Sequence, residues 1–181
     1  MPLRLALERH VPQDAGERAS LAKLMAFVAA GDPFRRGHPV GHVTASAVVA
    51  RPDGSEVLLV HHRRFDRWLQ PGGHTDPEDA SPFDTARREA REETGVTDLS
   101  APFGDRILDV DVHPIPERPG EPPHQHFDVR YLLTTLERRV SPQAREVRGV
   151  AWFSVEDVLA GDFDGSLVRA VRKAVALLAP R

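Results

Sequence analysis

Residues 81–95 leave the chain little choice of local structure. Ser81 and Pro82 open, and Gly95 closes, a run from Phe83 to Thr94 that contains neither glycine nor proline. Serine suits the cap before a helix, proline its first position and Asp84 the positive end of its dipole, while glycine suits the position just past its end. A helix is predicted here. At roughly 100° per residue, Phe83, Ala86 and Ala90 share one side, while Glu89, Glu92 and Glu93 share an adjoining arc of roughly 100°. The apolar side is expected to pack on a sheet.

Gathering three acids opposes folding. Like charges three or four residues apart each cost about 0.2–0.5 kcal/mol on an exposed helix. Arg88, four residues before Glu92, offsets part of this. A hard divalent cation offsets the rest, because Mg²⁺ prefers carboxylate oxygens and completes its shell with waters and substrate phosphate oxygens. A solvated face laced by Arg87, Arg88 and Arg91 is the alternative for a helix of this composition.

Around this helix the pattern is mixed α/β. Asp14 and Glu17 resemble a capping box, followed by Leu21, Leu24, Met25 and Val28 at helical spacing and a stop at Gly31 and Pro33. His42 to Ala50 alternates like a strand, and Pro52-Asp53-Gly54 turns it towards Val57 to Val60 as a hairpin. Ile107 to His113, Phe127 to Leu136 and Val150 to Phe153 read as further strands, the first two joined by a proline-rich loop from Pro114 to Pro123. Leu167, Val171, Ala174 and Leu178 predict a closing helix. A mixed sheet with helices packed on it is the expected architecture.

Composition narrows the chemistry. The 181 residues, a size for one domain, include no cysteine, which removes disulfides, thiolate metal sites and thiol nucleophiles together. With 24 basic against 27 acidic residues the net charge is −3, which offers no general attraction to nucleic-acid polymers or acidic membranes. The longest apolar run, Leu24 to Ala30, is too short to span a bilayer. A cytoplasmic protein with a small-molecule partner is expected, and a homodimer is compatible with the sequence.

Gly73, followed by Arg88-Glu89-Ala90-Arg91-Glu92-Glu93-Thr94-Gly95-Val96, resembles the Nudix box of the Nudix hydrolases: Gly, five residues, Glu, seven residues, then Arg-Glu-apolar-x-Glu-Glu-x-Gly-apolar. The second half agrees at every fixed position. The first half carries one extra residue, so the loop carboxylate of the pattern is either Glu78 or Asp79. The resemblance implies a Nudix-like α/β/α sandwich with a mixed sheet. A core over residues 42–153 would be extended by an N-terminal helical part, 1–38, and a C-terminal helical part, 154–181, in a single domain. It also implies Mg²⁺-dependent hydrolysis, with Mn²⁺ as a substitute, of a pyrophosphate linkage in a nucleotide or nucleoside diphosphate-linked substrate. Glu89, Glu92 and Glu93 would bind metal, Arg88 would orient them, and a carbonyl at Gly72 or Gly73 would add a ligand. Glu89 is the first candidate for general base, and Glu146, on the loop before the last strand, is the second. The competing reading is a Nudix-like nucleotide-binding or sensor domain that releases no product.

Other residues are candidates on spacing alone. His124, His126 and Asp128 alternate, so all three point to one face, towards His113 if the two strands pair. They suit substrate binding or a second metal, or else form a hydrogen-bonded polar strand face. His74, beside Gly73, is placed to meet a phosphate. Trp68 and Trp152 read as packing residues rather than base-stacking ones, and Phe127, Val129 and Tyr131 as core.

Overall fold

The computed structural model describes residues 2–141 and 147–179. Helices α1 (Leu3–Glu8) and α2 (Ala15–Ala29) precede β1 (Gly41–Ala50), β2 (Glu56–His62) and two very short strands, β3 (Arg67–Leu69) and β4 (Gly72–His74). Helix α3 (Pro82–Thr94), strands β5 (Ile107–Ile115), β6 (His124–Thr134) and β7 (Val147–Ser154), and helices α4 (Val155–Ala160) and α5 (Gly165–Leu178) complete the chain. The strands form one mixed sheet ordered β3-β2-β1-β6-β5, with β4 also on β1 and β7 also on β2.

Every residue of β1 is buried, as befits a strand that runs parallel to β6 with both faces covered. Val43, Ala45, Ala47 and Val49 pack with Leu7, Leu24, Phe27, Ala86 and Ala90, which places α1, α2 and α3 on one face. Val48 and Ala50 pack with Leu59, Leu132, Val158, Leu167 and Val171, which places α4 and α5 on the other. The expected α/β/α sandwich is present.

Its details differ from the periodic reading. The hairpin closes with only two Cα pairs, Val49 with Leu58 and Ala50 with Val57. Beyond them β2 follows β7, while Thr44 to Ser46 of β1 pairs with β4. Strands β3 and β4 were not expected, because three residues show no measurable alternation. A Cβ on Gly72 would lie 2.6 Å from Ser46 Cα and 2.8 Å from Ala45 O, so only glycine lets β4 lie this close to β1. In α2, Leu21, Leu24 and Phe27 are buried, whereas Met25 is exposed and Val28 only half-buried. The stripe is thus rotated from the one the spacing gave. Helix α1 was not anticipated either, since six residues are too few to show a period.

Glu17 departs furthest from its expected capping role. It is fully buried and accepts hydrogen bonds from Lys173 of α5, from His10 at 2.7 Å and from the Gln13 backbone N–H at 2.7 Å. The cap of α2 is made by Asp14 alone, which accepts from Glu17 N–H at 2.7 Å. Burial pushes the Glu17 carboxyl up, but the hydrogen bonds from His10, Lys173 and Gln13 outweigh it and hold the acid well below its ordinary value of 4.5. A depressed folded-state pKa contributes stability that is present above the unfolded value and lost as pH falls below it. Glu17 therefore supports the fold above about pH 4.5 and ceases to in stronger acid. Replacing Lys173 with Met leaves that carboxylate buried without its cation, and should cost about 3–5 kcal/mol in urea unfolding at neutral pH. Unfolding at the wild-type midpoint would contradict this.

Among the described residues, no helix is long and apolar enough to cross a membrane.

Candidate active site

Helix α3 is capped as its sequence dictates. Ser81 Oγ accepts from Asp84 N–H, Pro82 is the first helical residue, and Gly95 ends the helix at φ 72°. With Ala86 and Ala90 buried under the sheet, the acidic arc turns to the edge of β4.

Arg88 is the centre of this arrangement. Its Nε and Nη2 donate to Asp79 at 3.1 and 2.8 Å, and Nη2 also donates to the His74 carbonyl at 2.8 Å. Its Nη1 donates to Glu89 at 2.9 Å and to Glu92 at 3.3 Å. The loop acid is therefore Asp79; Glu78 is exposed. Asp79 also accepts from Thr85 Oγ1 and from Asp76 N–H. The hydrogen bonds from Arg88, above all, hold its carboxyl near 2. Asp79 stands six residues after Gly73, in step with the resembled pattern, so the extra residue falls between Asp79 and Arg88.

The three helix acids differ in setting. Glu89 packs behind Gly73, where an added Cβ would lie 2.6 Å from Glu89 Cδ. Burial pushes its carboxyl up, with Glu92 and Asp76 adding to the rise and Arg88 opposing it. Glu93 is buried and accepts from Gly72 N–H at 3.0 Å. Glu92 is the exposed member, 56% open at the side chain. The sequence-predicted acids thus meet β4 through Gly72 and Gly73.

A cleft of about 480 Å³ opens beside those glycines. Gly72, Gly73 and His74 form part of its wall, Arg63 and Arg64 reach it from the end of β2, and Arg118 and Glu121 reach it from the proline-rich loop. That loop is thus a rim of the cleft. The acids of α3 adjoin those glycines and are not among the residues that line the wall. A second cavity of about 460 Å³, beside His10 and Lys173, holds none of them.

The histidines assemble differently from their spacing. His126 does face His113 across the β5–β6 pair, with ring centres 5.6 Å apart. Asp128 leaves the group: it accepts from Thr44, Ser46, Gln70 and Arg130, at 2.7 to 3.3 Å, in a buried polar network. His42 takes its place. It lies opposite His126 in the parallel β1–β6 register, with its ring 4.8 Å from His126, 5.0 Å from His124 and 4.8 Å from His74. Sequence reasoning missed His42, because only the long-range pairing of β1 with β6 brings it there. Alternation with Thr44 and Ser46 was the one available signal. Burial, above all, lowers His42 and His74 to about 4 and His126 to about 2, so these rings are neutral at neutral pH.

His74 meets Arg88 through its carbonyl and turns its ring to the histidines. Trp68 packs on Phe153 and Trp152 under the Arg51 guanidinium; neither lines the cleft. Glu146 lies outside the described residues.

The chain is similar to known proteins in sequence and in fold. The model of the NUDIX domain matches residues 40–173. A probable DHNTP pyrophosphohydrolase of Lactococcus lactis is 34% identical over 128 residues, which cover 68% of this chain and 74% of the relative. Human diphosphoinositol polyphosphate phosphohydrolase 3-alpha is 35% identical over 105 residues, 58% of each protein. Among solved structures, a hydrolase of the NUDIX family from Clostridium perfringens superposes with a TM-score of 0.55 at 28% identity, covering 75% of this chain and 97% of its own. The chain belongs to the Nudix hydrolase family.

Proposed function

We propose that this chain is a cytoplasmic Mg²⁺-dependent hydrolase, with Mn²⁺ as a substitute, that cleaves the pyrophosphate linkage of a nucleotide or nucleoside diphosphate-linked small molecule. One observation carries the reading: Arg88 gathers Asp79, Glu89 and Glu92 on the α3 face that meets Gly72 and Gly73, beside a cleft lined by Arg63, Arg64 and Arg118 together with Glu121 and Asp128.

The donor set fits a hard dication. Glu89, Glu92 and Glu93 offer carboxylate oxygens, and Gly73 keeps the space that Glu89 occupies free of a side chain. Once bound, Mg²⁺ neutralises phosphate charge and makes a coordinated water more acidic. The protein's own groups do the rest. Arg63, Arg64 and Arg118 attract the phosphates, while Arg88 fixes the acids so that no reorganisation is needed during reaction. Glu89 accepts the proton of the attacking water, a role that its upward-shifted pKa suits. The new P–O bond forms as the bond to the bridging oxygen breaks, and the leaving phosphate departs with that oxygen.

A hydrolysis screen tests this reading. Dinucleoside polyphosphates, ADP-ribose-like conjugates, nucleoside di- and triphosphates and DHNTP, the compound named for the Lactococcus relative, would be incubated with Mg²⁺ or with EDTA and their products identified by mass. The expected result is cleavage of a pyrophosphate bond in Mg²⁺ only. Tight binding with no product from any compound would instead make the chain a nucleotide-binding domain.

Gly73→Ala is a sharper local probe. Its methyl group would push the Glu89 carboxylate aside, and a misplacement of about 1 Å is expected to lower turnover roughly a hundredfold with the fold retained. Wild-type turnover would show that Glu89 does not need this position.

A further inference from the structure

We infer that His42, His124 and His126 form a second cation site, separate from the α3 acids and selective for a borderline transition metal such as Zn²⁺ or Co²⁺ over Mg²⁺. One ring nitrogen from each of the three lies within 4.8 Å of the other two. Both nitrogens of His42, which is 2% exposed, and the Nε2 atoms of His124 and His126 are buried, and none has a hydrogen-bond partner of ordinary geometry among the described residues. The Arg36 backbone approaches the His42 ring without meeting ordinary hydrogen-bond geometry. Buried polar atoms are nearly always paired, so this many bare nitrogens aimed at one another need a common partner. A cation supplies it.

The details suit ligation. His124 Nδ1 lies 2.9 Å from the Pro122 carbonyl, a contact that requires the proton on Nδ1 and leaves the Nε2 lone pair facing the cluster. A backbone carbonyl fixing the far nitrogen is the usual support for a ligating imidazole. The strand pairing fixes the rest: His42 and His126 are directly opposed in the parallel β1–β6 register, and His124 is two residues before His126 on the same face. Glu121 brings a carboxylate oxygen within 3.6 Å of His124 Nε2 and is the nearest anionic neighbour of the set. Zinc–nitrogen bonds of about 2.0–2.1 Å put tetrahedral ligands roughly 3.4 Å apart, so the rings would close by about an ångström through side-chain rotation.

Imidazole nitrogen suits zinc, cobalt, nickel, copper or iron, and Mg²⁺ favours oxygen. The two centres would therefore sort metals by ligand chemistry. Three protein ligands leave one position open, the arrangement of metal sites that bind a water or a substrate atom. His126 and Glu121 line the same cleft as Gly73, so the site borders the substrate space.

The test uses the full chain, stripped with a chelator and titrated with Zn²⁺ or Co²⁺ in excess Mg²⁺. Wild type is expected to take up about one equivalent, with the intense visible absorption of tetrahedral Co²⁺ that a carboxylate and water shell does not give. His124→Gln and His126→Asn, checked for folding by circular dichroism, should each weaken uptake by about a hundredfold or more, while Glu92→Gln leaves it unchanged. Absence of Co²⁺ absorption in wild type would overturn the inference without reference to any variant. So would uptake that survives in both histidine variants and is lost in Glu92→Gln. Because hydrolysis is not measured, the proposed activity and this site can fail separately.

Discussion

Glu92→Gln should lower turnover by about 10²–10³-fold, the order of effect seen when one electrostatic contact to the transition state is removed. Thermal unfolding should stay within about 0.5 kcal/mol of wild type. Glu92 is the exposed acid of the three, and its one hydrogen bond among the described residues is to Arg88 at 3.3 Å. The fold gains little from it: an exposed helix pair of this spacing is worth about 0.3–0.5 kcal/mol. Retaining an acid so close to Glu89 and Glu93 has a purpose if a dication is bound there, and the amide, of the same shape, removes that charge alone. Full turnover in Glu92→Gln would take the acids out of the chemistry.

Arg88→Met should have the largest combined effect, costing about 3–5 kcal/mol of stability together with most of the turnover. The side chain of Asp79 is only 7% exposed and that of Glu89 16%, and both lose their cation at once. The His74 carbonyl and Glu92 lose a donor in the same substitution. Arg88→Lys should fall between Met and wild type, since an ammonium restores charge without the planar fork that spans both oxygens of Asp79. Asp79→Asn, combined with Arg88→Met, should recover part of the lost stability by removing one buried charge; purely additive losses would contradict this coupling. Urea unfolding of these variants and of Asp79→Asn alone checks the series.

How much of this was legible follows from the range of each signal. The ends of α3 were readable because capping chemistry acts over three or four residues, and Ser81, Pro82 and Gly95 each carry it. The burial of Phe127, Val129 and Tyr131 followed from strand alternation in the same way. The sequence left two acids open for the loop carboxylate of the pattern. Glu78 and Asp79 are adjacent, and only the path of the loop turns Asp79 inward. Glu17 was misread because a capping-box glutamate and a buried partner of Lys173, 156 residues away, look alike in a local window. The exchange of Asp128 for His42 in the histidine group has the same origin: β1 and β6 are distant in sequence, and their parallel register decides which side chains meet. Local chemistry marked the acidic helix, and the sheet pairing decided what faces it.

The central claim is that α3 holds a divalent cation on which cleavage depends. Its most direct measurement is the Mg²⁺ activation curve of pyrophosphate cleavage for wild type and Glu92→Gln, both first stripped with EDTA. The account predicts no cleavage in EDTA and a saturable rise for wild type. For Glu92→Gln it predicts a curve with half-saturation moved about tenfold or more to higher Mg²⁺ and a lower plateau. Superimposable curves, or cleavage that persists in EDTA, would contradict it.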